Sequence, residues 1–319
     1  MSRIFIAGHN GMVGSSIYRL LKKTGNHKII VRDRKQLDLT NQKDVNSFFK
    51  RNKIDKVFLA AAKVGGIHAN NSYPAEFIYE NIMIEANIIH ASFLYGVKQL
   101  LFLGSSCIYP KKAKQPISEQ ALLSGFLEET NKAYAIAKIA GIILCSSYNK
   151  QYSKKHKVDF RCVMPTNLYG PGDNFDMENG HVIPALLRRF HEAKVLNKKS
   201  INVWGTGEPI REFLYVDDLA RACIKLIDLN KKNFQKLTNS KINYINVGSG
   251  ESLSIKQLAF LIKKIVKFKG IIKFDKTKPD GTMVKILDSR ILNSLKWKAK
   301  VKLESGLLKT YNYFKKQYG

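Results

Sequence analysis

Acidic side chains are scarce in this 319-residue chain: 25 Asp and Glu stand against 54 Lys and Arg, a formal charge of +29. Apolar runs are short, so no stretch is long enough to cross a bilayer as a helix, and no charged-then-apolar leader follows Met1. Only four cysteines occur (Cys107, Cys145, Cys162, Cys223), and none sits in a CxxC or other metal-ligand spacing. That excludes a disulfide framework and a cysteine metal centre, and points to reduced thiols in a cytoplasmic protein. Cys145, Cys162 and Cys223 fall in apolar patterns and are expected in the core. No internal repeat is evident. The basic excess lacks the aromatic-interleaved tract of nucleic-acid binders and is spread in pairs such as Lys22-Lys23, Lys154-Lys155 and Lys263-Lys264. Such pairs read as solvated faces whose summed field attracts small anions, with no nucleic acid and no membrane as partner.

What is present is alternation. Residues 3–7, 27–31, 56–62, 99–104 and 160–164 are short apolar strands, while 15–23, 74–95 and 134–151 carry helical spacing. Repeated strand–helix units predict an α/β fold, a Rossmann-type doubly wound parallel sheet. After Tyr169-Gly170-Pro171-Gly172 the rhythm breaks. Helices over 181–192 and 253–267 beside short strands predict a smaller α/β C-terminal lobe, and the polar, lysine-rich 230–240 predicts an exposed connection. The expected division is 1–172 for the Rossmann domain, with a return near 211–248, and 173–210 with 249–319 for the lobe.

Gly8-His9-Asn10-Gly11-Met12-Val13-Gly14 follows the first strand at once and opens a helix. Glycines there let backbone N–H groups approach a pyrophosphate, with the helix N-terminus adding positive potential. The spacing is G-x-x-G-x-x-G, not the commoner G-x-G-x-x-G, and a tight turn alone would also use glycine. Arg32, Asp33 and Arg34 end the second strand. An acid there selects the ribose hydroxyl of NAD and arginines accommodate the 2′-phosphate of NADP, so the balance favours NADP(H). Ser105 closes the run 99–104, at the carboxyl end of a strand where open α/β sheets bind ligands. Tyr134 and Lys138 share one helix face. The ammonium is expected to lower the phenol pKa, and serine, tyrosine and lysine to converge on a substrate oxygen.

These motifs, together with Arg211-Glu212-Phe213-Leu214-Tyr215-Val216-Asp217-Asp218, resemble the extended short-chain dehydrogenase/reductases. The resemblance spans nearly the whole chain and narrows to the GDP-L-fucose synthase family on four further strings. They are Ala60-Ala61-Ala62-Lys63-Val64-Gly65-Gly66-Ile67, Gly104-Ser105-Ser106-Cys107-Ile108-Tyr109-Pro110, Met164-Pro165-Thr166-Asn167-Leu168-Tyr169-Gly170-Pro171 and His181-Val182-Ile183-Pro184-Ala185-Leu186.

The resemblance implies an NADPH-dependent conversion of GDP-4-dehydro-6-deoxy-D-mannose to GDP-L-fucose: epimerisation at C3 and C5, then hydride reduction of the C4 ketone. Ser105, Cys107, Tyr134, Lys138 and His181 would be catalytic, with Cys107 and His181 exchanging the ring protons and no metal involved. The cofactor bed it implies comprises the glycine turn (Gly8, His9, Asn10, Gly11, Met12, Val13, Gly14), then Arg34, Asp38 and Leu39 beyond the second strand. Ala61 and Ala62 would add to it, as would Leu103, Gly104, Ser105 and Ser106, then Tyr134 and Lys138, and finally Pro165, Thr166, Asn167, Leu168 and His181. Arg189 and Arg211 would grip substrate phosphates, with Trp204, Asp280 and Lys285 beside them. The apolar segments 78–89 and 136–144 resemble those that form a homodimer seam in the family.

Two departures stand out. Asn10 replaces a common arginine of the cofactor turn, leaving Arg34 as the main 2′-phosphate ligand. Val284 replaces another, beside Lys285. Among rivals, a nucleotide-sugar 4,6-dehydratase needs an acid after the strand-end serine, where Ser106-Cys107 stands. A UDP-sugar 4-epimerase has no need of a thiol at Cys107, and a catalytically silent NADP-binding regulator would not need Ser105, Tyr134 and Lys138 intact.

Overall fold

The computed structural model describes residues 1–278 and 280–318; Pro279, within the expected substrate-side string, and Gly319 lie outside the described residues. Strand β1 (Ser2–Ala7) sends Phe5 and Ala7 into one buried layer and Ile4 and Ile6 into another. Burial on both faces is what an all-parallel sheet requires. The strands that follow are β2 (His27–Ile30), β3 (Lys56–Leu59), β4 (Gln99–Leu103), β5 (Asp159–Pro165) and β6 (Asn167–Tyr169). Then come β7 (Ser200–Trp204), β8 (Ile210–Tyr215), β9 (Tyr244–Val247), β10 (Ser252–Ser254), β11 (Ile271–Asp275) and β12 (Val284–Lys285). Six of them form one parallel sheet in the order β2-β1-β3-β4-β5-β9. The order reverses at β1, so the crevice at the carboxyl ends of β1 and β3 is the topological switch point.

Helices α1 (Met12–Thr24), α2 (Gln42–Arg51), α3 (Ile67–Ser72), α4 (Pro74–Leu94) and α5 (Lys132–His156) belong to the first half. The second half adds α6 (Val182–Val195), α7 (Val216–Asp228), α8 (Lys231–Leu237), α9 (Ile255–Val266), α10 (Arg290–Asn293) and α11 (Leu303–Tyr318). α1 and α7 cover one face of the sheet through Ile17, Leu21, Leu219 and Leu226; α2, α4 and α5 cover the other through Phe48, Ile88 and Ile142. The protein is a Rossmann-type doubly wound sheet carrying a smaller α/β lobe. In that lobe β10, β8 and β12 form a sheet extended by β6, and β7 pairs with β11. α6, α9 and α11 close its core around Leu187, Phe190, Ile262 and Phe314.

Local chemistry explains several boundaries. The Asn41 side chain accepts from the first N–H groups of α2, and Ser254 and Gln257 form a capping box on α9. That box also corrects the expected helix over 253–267: 252–254 is the strand β10, and the helix begins at Ile255. Segment 230–240 is not merely an exposed connection. Asn230 caps α8, which turns Phe234 into the core against the sheet. The strand expected over 56–62 ends at Leu59, and residues 60–66 carry no regular structure. No helix among the described residues is long and apolar enough to cross a membrane.

Candidate active site

The glycine turn lies at the switch point. Gly8 takes a φ of +87°, and a Cβ on it would stand 2.6 Å from the Ala61 nitrogen; a Cβ on Gly14 would collide with the Gly8 carbonyl oxygen. Only glycine lets β1, α1 and the end of β3 approach this closely. Gly11 donates its N–H to the Gly8 carbonyl (3.0 Å) and stands as the N-cap of α1 with no side chain over the helix end. The first N–H groups of α1 are therefore left for an anion. Farther out, the Arg34 guanidinium is exposed and only 3.7 Å from Glu80. The Asp38 carboxylate accepts from the Thr40 hydroxyl and N–H, bonds that hold its pKa below the ordinary value. Leu39 packs against the core.

At the carboxyl end of β4, Ser105 Oγ accepts the Cys107 N–H at 3.2 Å and opens the short helical turn Ser106–Ile108. The same hydroxyl lowers the pKa of both the Cys107 thiol and the Tyr134 phenol, so one serine acts on both side chains. The expected effect of Lys138 on Tyr134 is not what the structure carries. Burial pushes the phenol well above its ordinary pKa, the charges of Cys107 and Glu85 add to this, and Ser105 only partly offsets them. The Lys138 ammonium is committed elsewhere, 3.0 Å from Glu85.

Cys107 and His181, from the β4 end and the start of α6, lie within reach of each other's charge. Burial raises the thiol, but Lys285, whose Nζ lies 3.3 Å from the sulfur, pulls it down with help from Ser105 and His181; the net shift is downward. His181 is the N-cap of α6, at the end of a loop shaped by Asp176, whose carboxylate takes the N–H groups of Glu178 and Asn179. Burial lowers the imidazole, and Asp173, 3.7 Å from Nδ1, raises it by more together with Cys107. The pair is thus biased toward thiolate and imidazolium. Opposite this loop, the Gly66 N–H donates to the Asn179 carbonyl (2.7 Å), so the 63–66 segment closes the same wall.

The outer rim is basic and aromatic. Trp204 is 45% exposed, with Arg189 and Lys278 each 5.6 Å from its ring, so it is not core packing. Lys285 on β12 pairs opposite Arg211 on β8, while Val284 lies opposite Ile210. Asp280 gives both carboxylate oxygens to Thr206, holding the turn that follows Trp204. Thr166 and Asn167 both donate to the Glu212 carbonyl and so tie the main sheet to β8. Pro165 ends β5, Leu168 lies within β6, Leu103 ends β4, and Ala62 follows the Gly8–Ala61 contact. A separate concavity of about 1160 Å³ opens between the 110–127 loop and 286–290, and none of these residues lines it.

The sequence pattern of the NAD dependent epimerase/dehydratase family matches residues 4–240. The chain belongs to that family. It is 55% identical over 312 residues to the GDP-L-fucose synthase of Escherichia coli (strain K12), covering 98% of this chain and 96% of that one. Among solved structures it resembles a GDP-6-OMe-4-keto-L-xylo-heptose reductase from C. jejuni, with TM-score 0.93, 40% identity, and 99% and 98% of the two chains covered. It also resembles a GDP-L-fucose synthetase from Naegleria fowleri bound to NADP, with TM-score 0.89, 28% identity, and 99% and 95% covered.

The residues present fit such a dinucleotide: a cradle that only glycine permits, an uncapped helix end and an exposed arginine beyond β2. Within this family member, sequence reasoning missed Asp173 and Glu85. Asp173 follows Gly170-Pro171-Gly172 directly, and Glu85 is an acid inside an apolar helical run; each is a signal of a buried charge with a partner. Cys145, Cys162 and Cys223 are buried as expected. Among the described residues no cluster of His, Cys, Asp and Glu could hold a metal.

Proposed function

We propose that the chain converts GDP-4-dehydro-6-deoxy-D-mannose to GDP-L-fucose with NADPH, inverting C3 and C5 and then reducing C4. The observation that carries this reading is the pairing of Cys107 with Lys285 (3.3 Å) and of His181 with Asp173 (3.7 Å), beside Ser105 and Tyr134. The C4 ketone acidifies the hydrogens at C3 and C5. Cys107, biased toward thiolate by Lys285, takes a proton from one face, and His181, biased toward imidazolium by Asp173, returns one to the other. Ser105 and Tyr134 donate to the ketone oxygen and stabilise the enolate. The proton then passes from thiol to imidazole, resetting the pair for the second centre. In the reduction Tyr134 gives its proton to the C4 oxygen as the carbonyl becomes an alcohol, and the phenolate regains a proton from water. NADPH, when bound, supplies the hydride. Its pyrophosphate would lie on Gly8–Gly14 and its 2′-phosphate by Arg34.

Arg189 and Arg211 suit the diphosphate, their planar forks matching phosphate oxygens, and Trp204 offers its face to the guanine. The smaller lobe, with the β8 strand that carries Arg211, is the substrate side, and the six-stranded parallel sheet with its helices is the cofactor side. Exposed Tyr79, Ile136 and Ile143 on α4 and α5 support a homodimer through these helices. Free thiols at all four cysteines suit a cytoplasmic site. The test incubates the protein with NADPH and the GDP-4-keto sugar and identifies the product by NMR. GDP-L-fucose is expected; reduction without inversion at C3 and C5, or no reaction, overturns the reading.

A further inference from the structure

Glu85 is a buried titratable group that the reactions above leave unused. It lies on α4, only 2% exposed, and reaches Lys138 on α5 at 3.0 Å. Neither of its oxygens takes a hydrogen bond from another group among the described residues. Gly141 makes room for it: a Cβ there would come within 2.7 Å of Glu85 Oε2 and of the Phe102 ring. That ring also faces the ammonium, 4.6 Å from Nζ, while the Tyr134 ring lies at 5.8 Å. Lys138 is therefore pinned between one carboxylate and one aromatic face. Stability does not explain the arrangement, because replacing a buried ion pair by apolar side chains is often neutral or stabilising.

We propose that Glu85 is a positioning residue for the reduction: it anchors Lys138 and offsets its charge, so that Tyr134 keeps its proton until the substrate oxygen takes it. The inference rests on the proposed function, because it concerns the direction in which the phenol moves a proton. A bare ammonium beside a phenol favours phenolate. Phenolate suits abstraction of a proton from an alcohol, whereas reducing a ketone needs the phenol. The titratable groups facing Glu85 are Lys138 and Tyr134 of α5, Cys145 farther along α5 and, coupled to it, Cys162 of β5; Cys107 faces Tyr134 from the strand end. Lys138 is the one cation in this set. Burial pushes the Glu85 carboxyl up to about 7 against the pull of Lys138, so Glu85 is charged throughout the alkaline range where Tyr134 would lose its proton.

The test follows NADPH consumption with the GDP-4-keto sugar across the alkaline range. E85Q keeps the shape and removes the charge, and its alkaline midpoint is expected about one pH unit below that of the wild type. E85D keeps the charge and is expected to recover most of that shift. An unmoved midpoint in E85Q, or a shift in E85D as large as in E85Q, overturns the proposal, since a purely structural role would lower stability without moving the midpoint. If E85Q shows no cooperative thermal transition, E85M takes its place: a lowered midpoint supports the proposal and an unmoved one overturns it. A wild type that consumes no NADPH with this substrate overturns the proposed function itself.

Discussion

Two ion pairs are buried against opposite faces of the same sheet and treat their charges in opposite ways. At the start of β5, Arg161 places Nε 2.9 Å and a terminal nitrogen 2.5 Å from the two Asp159 oxygens, donates to the Leu226 carbonyl, and lies 4.4 Å from the Phe234 ring. All three nitrogens of that guanidinium have a partner. Near the carboxyl end of β4, Lys138 and Glu85 share one 3.0 Å contact, and the carboxylate has no second donor among the described residues. A closed pair of the first kind behaves as part of the scaffold. An open pair of the second kind is tolerated where chemistry uses its field, and functional sites are where local satisfaction is commonly broken.

The contrast can be broken by substitution. At the open end, Tyr134→Phe should lower NADPH oxidation by roughly 10²–10⁴ while thermal unfolding stays near wild type, the usual scale for losing a positioned proton donor. A near-normal turnover would remove Tyr134 from the reaction. At the closed end, Arg161→Met leaves Asp159 without its partner. Denaturant unfolding should show a loss of about 3–5 kcal/mol, with the pH profile of the folded fraction unmoved. If Arg161→Met shifts the alkaline midpoint as a Glu85 variant should, the two pairs do not differ in kind.

The rim gives a smaller effect. Trp204→Ala should raise KM for the nucleotide sugar roughly tenfold, the worth of one base stacked on an aromatic ring, with little change in kcat. An unchanged KM would leave Trp204 without a role in substrate binding. The smallest effect concerns Lys285 and Cys107. The Cys107 thiol lies below its ordinary pKa, so it should be alkylated by iodoacetamide at neutral pH faster than a free thiol exposed to the same degree. Lys285→Met removes a positive charge, moves the alkylation midpoint up toward the ordinary thiol value, and should slow the neutral reaction about threefold to tenfold. A midpoint that does not rise would show that Ser105 and His181 suffice.

The residue order alone was enough for the alternating strands and helices, the glycine turn at 8–14, and the placing of Tyr134 and Lys138 one turn apart on the same helix. Each of these is local: period, spacing and turn chemistry act over a few residues, so they are legible without coordinates. Segment 230–240 was read as an exposed connection, because two apolar residues in a lysine-rich stretch declare little until α8 turns Phe234 toward the sheet. Only the tertiary structure brought Lys285 to the Cys107 sulfur, Asp173 to His181 and Glu85 to Lys138. Those contacts join residues far apart in the chain, and a charge deep in the fold takes its pKa from whatever neighbour the packing supplies. That is why the sequence could offer the candidate residues, while the direction in which Lys138 and Tyr134 share charge emerged only from their surroundings.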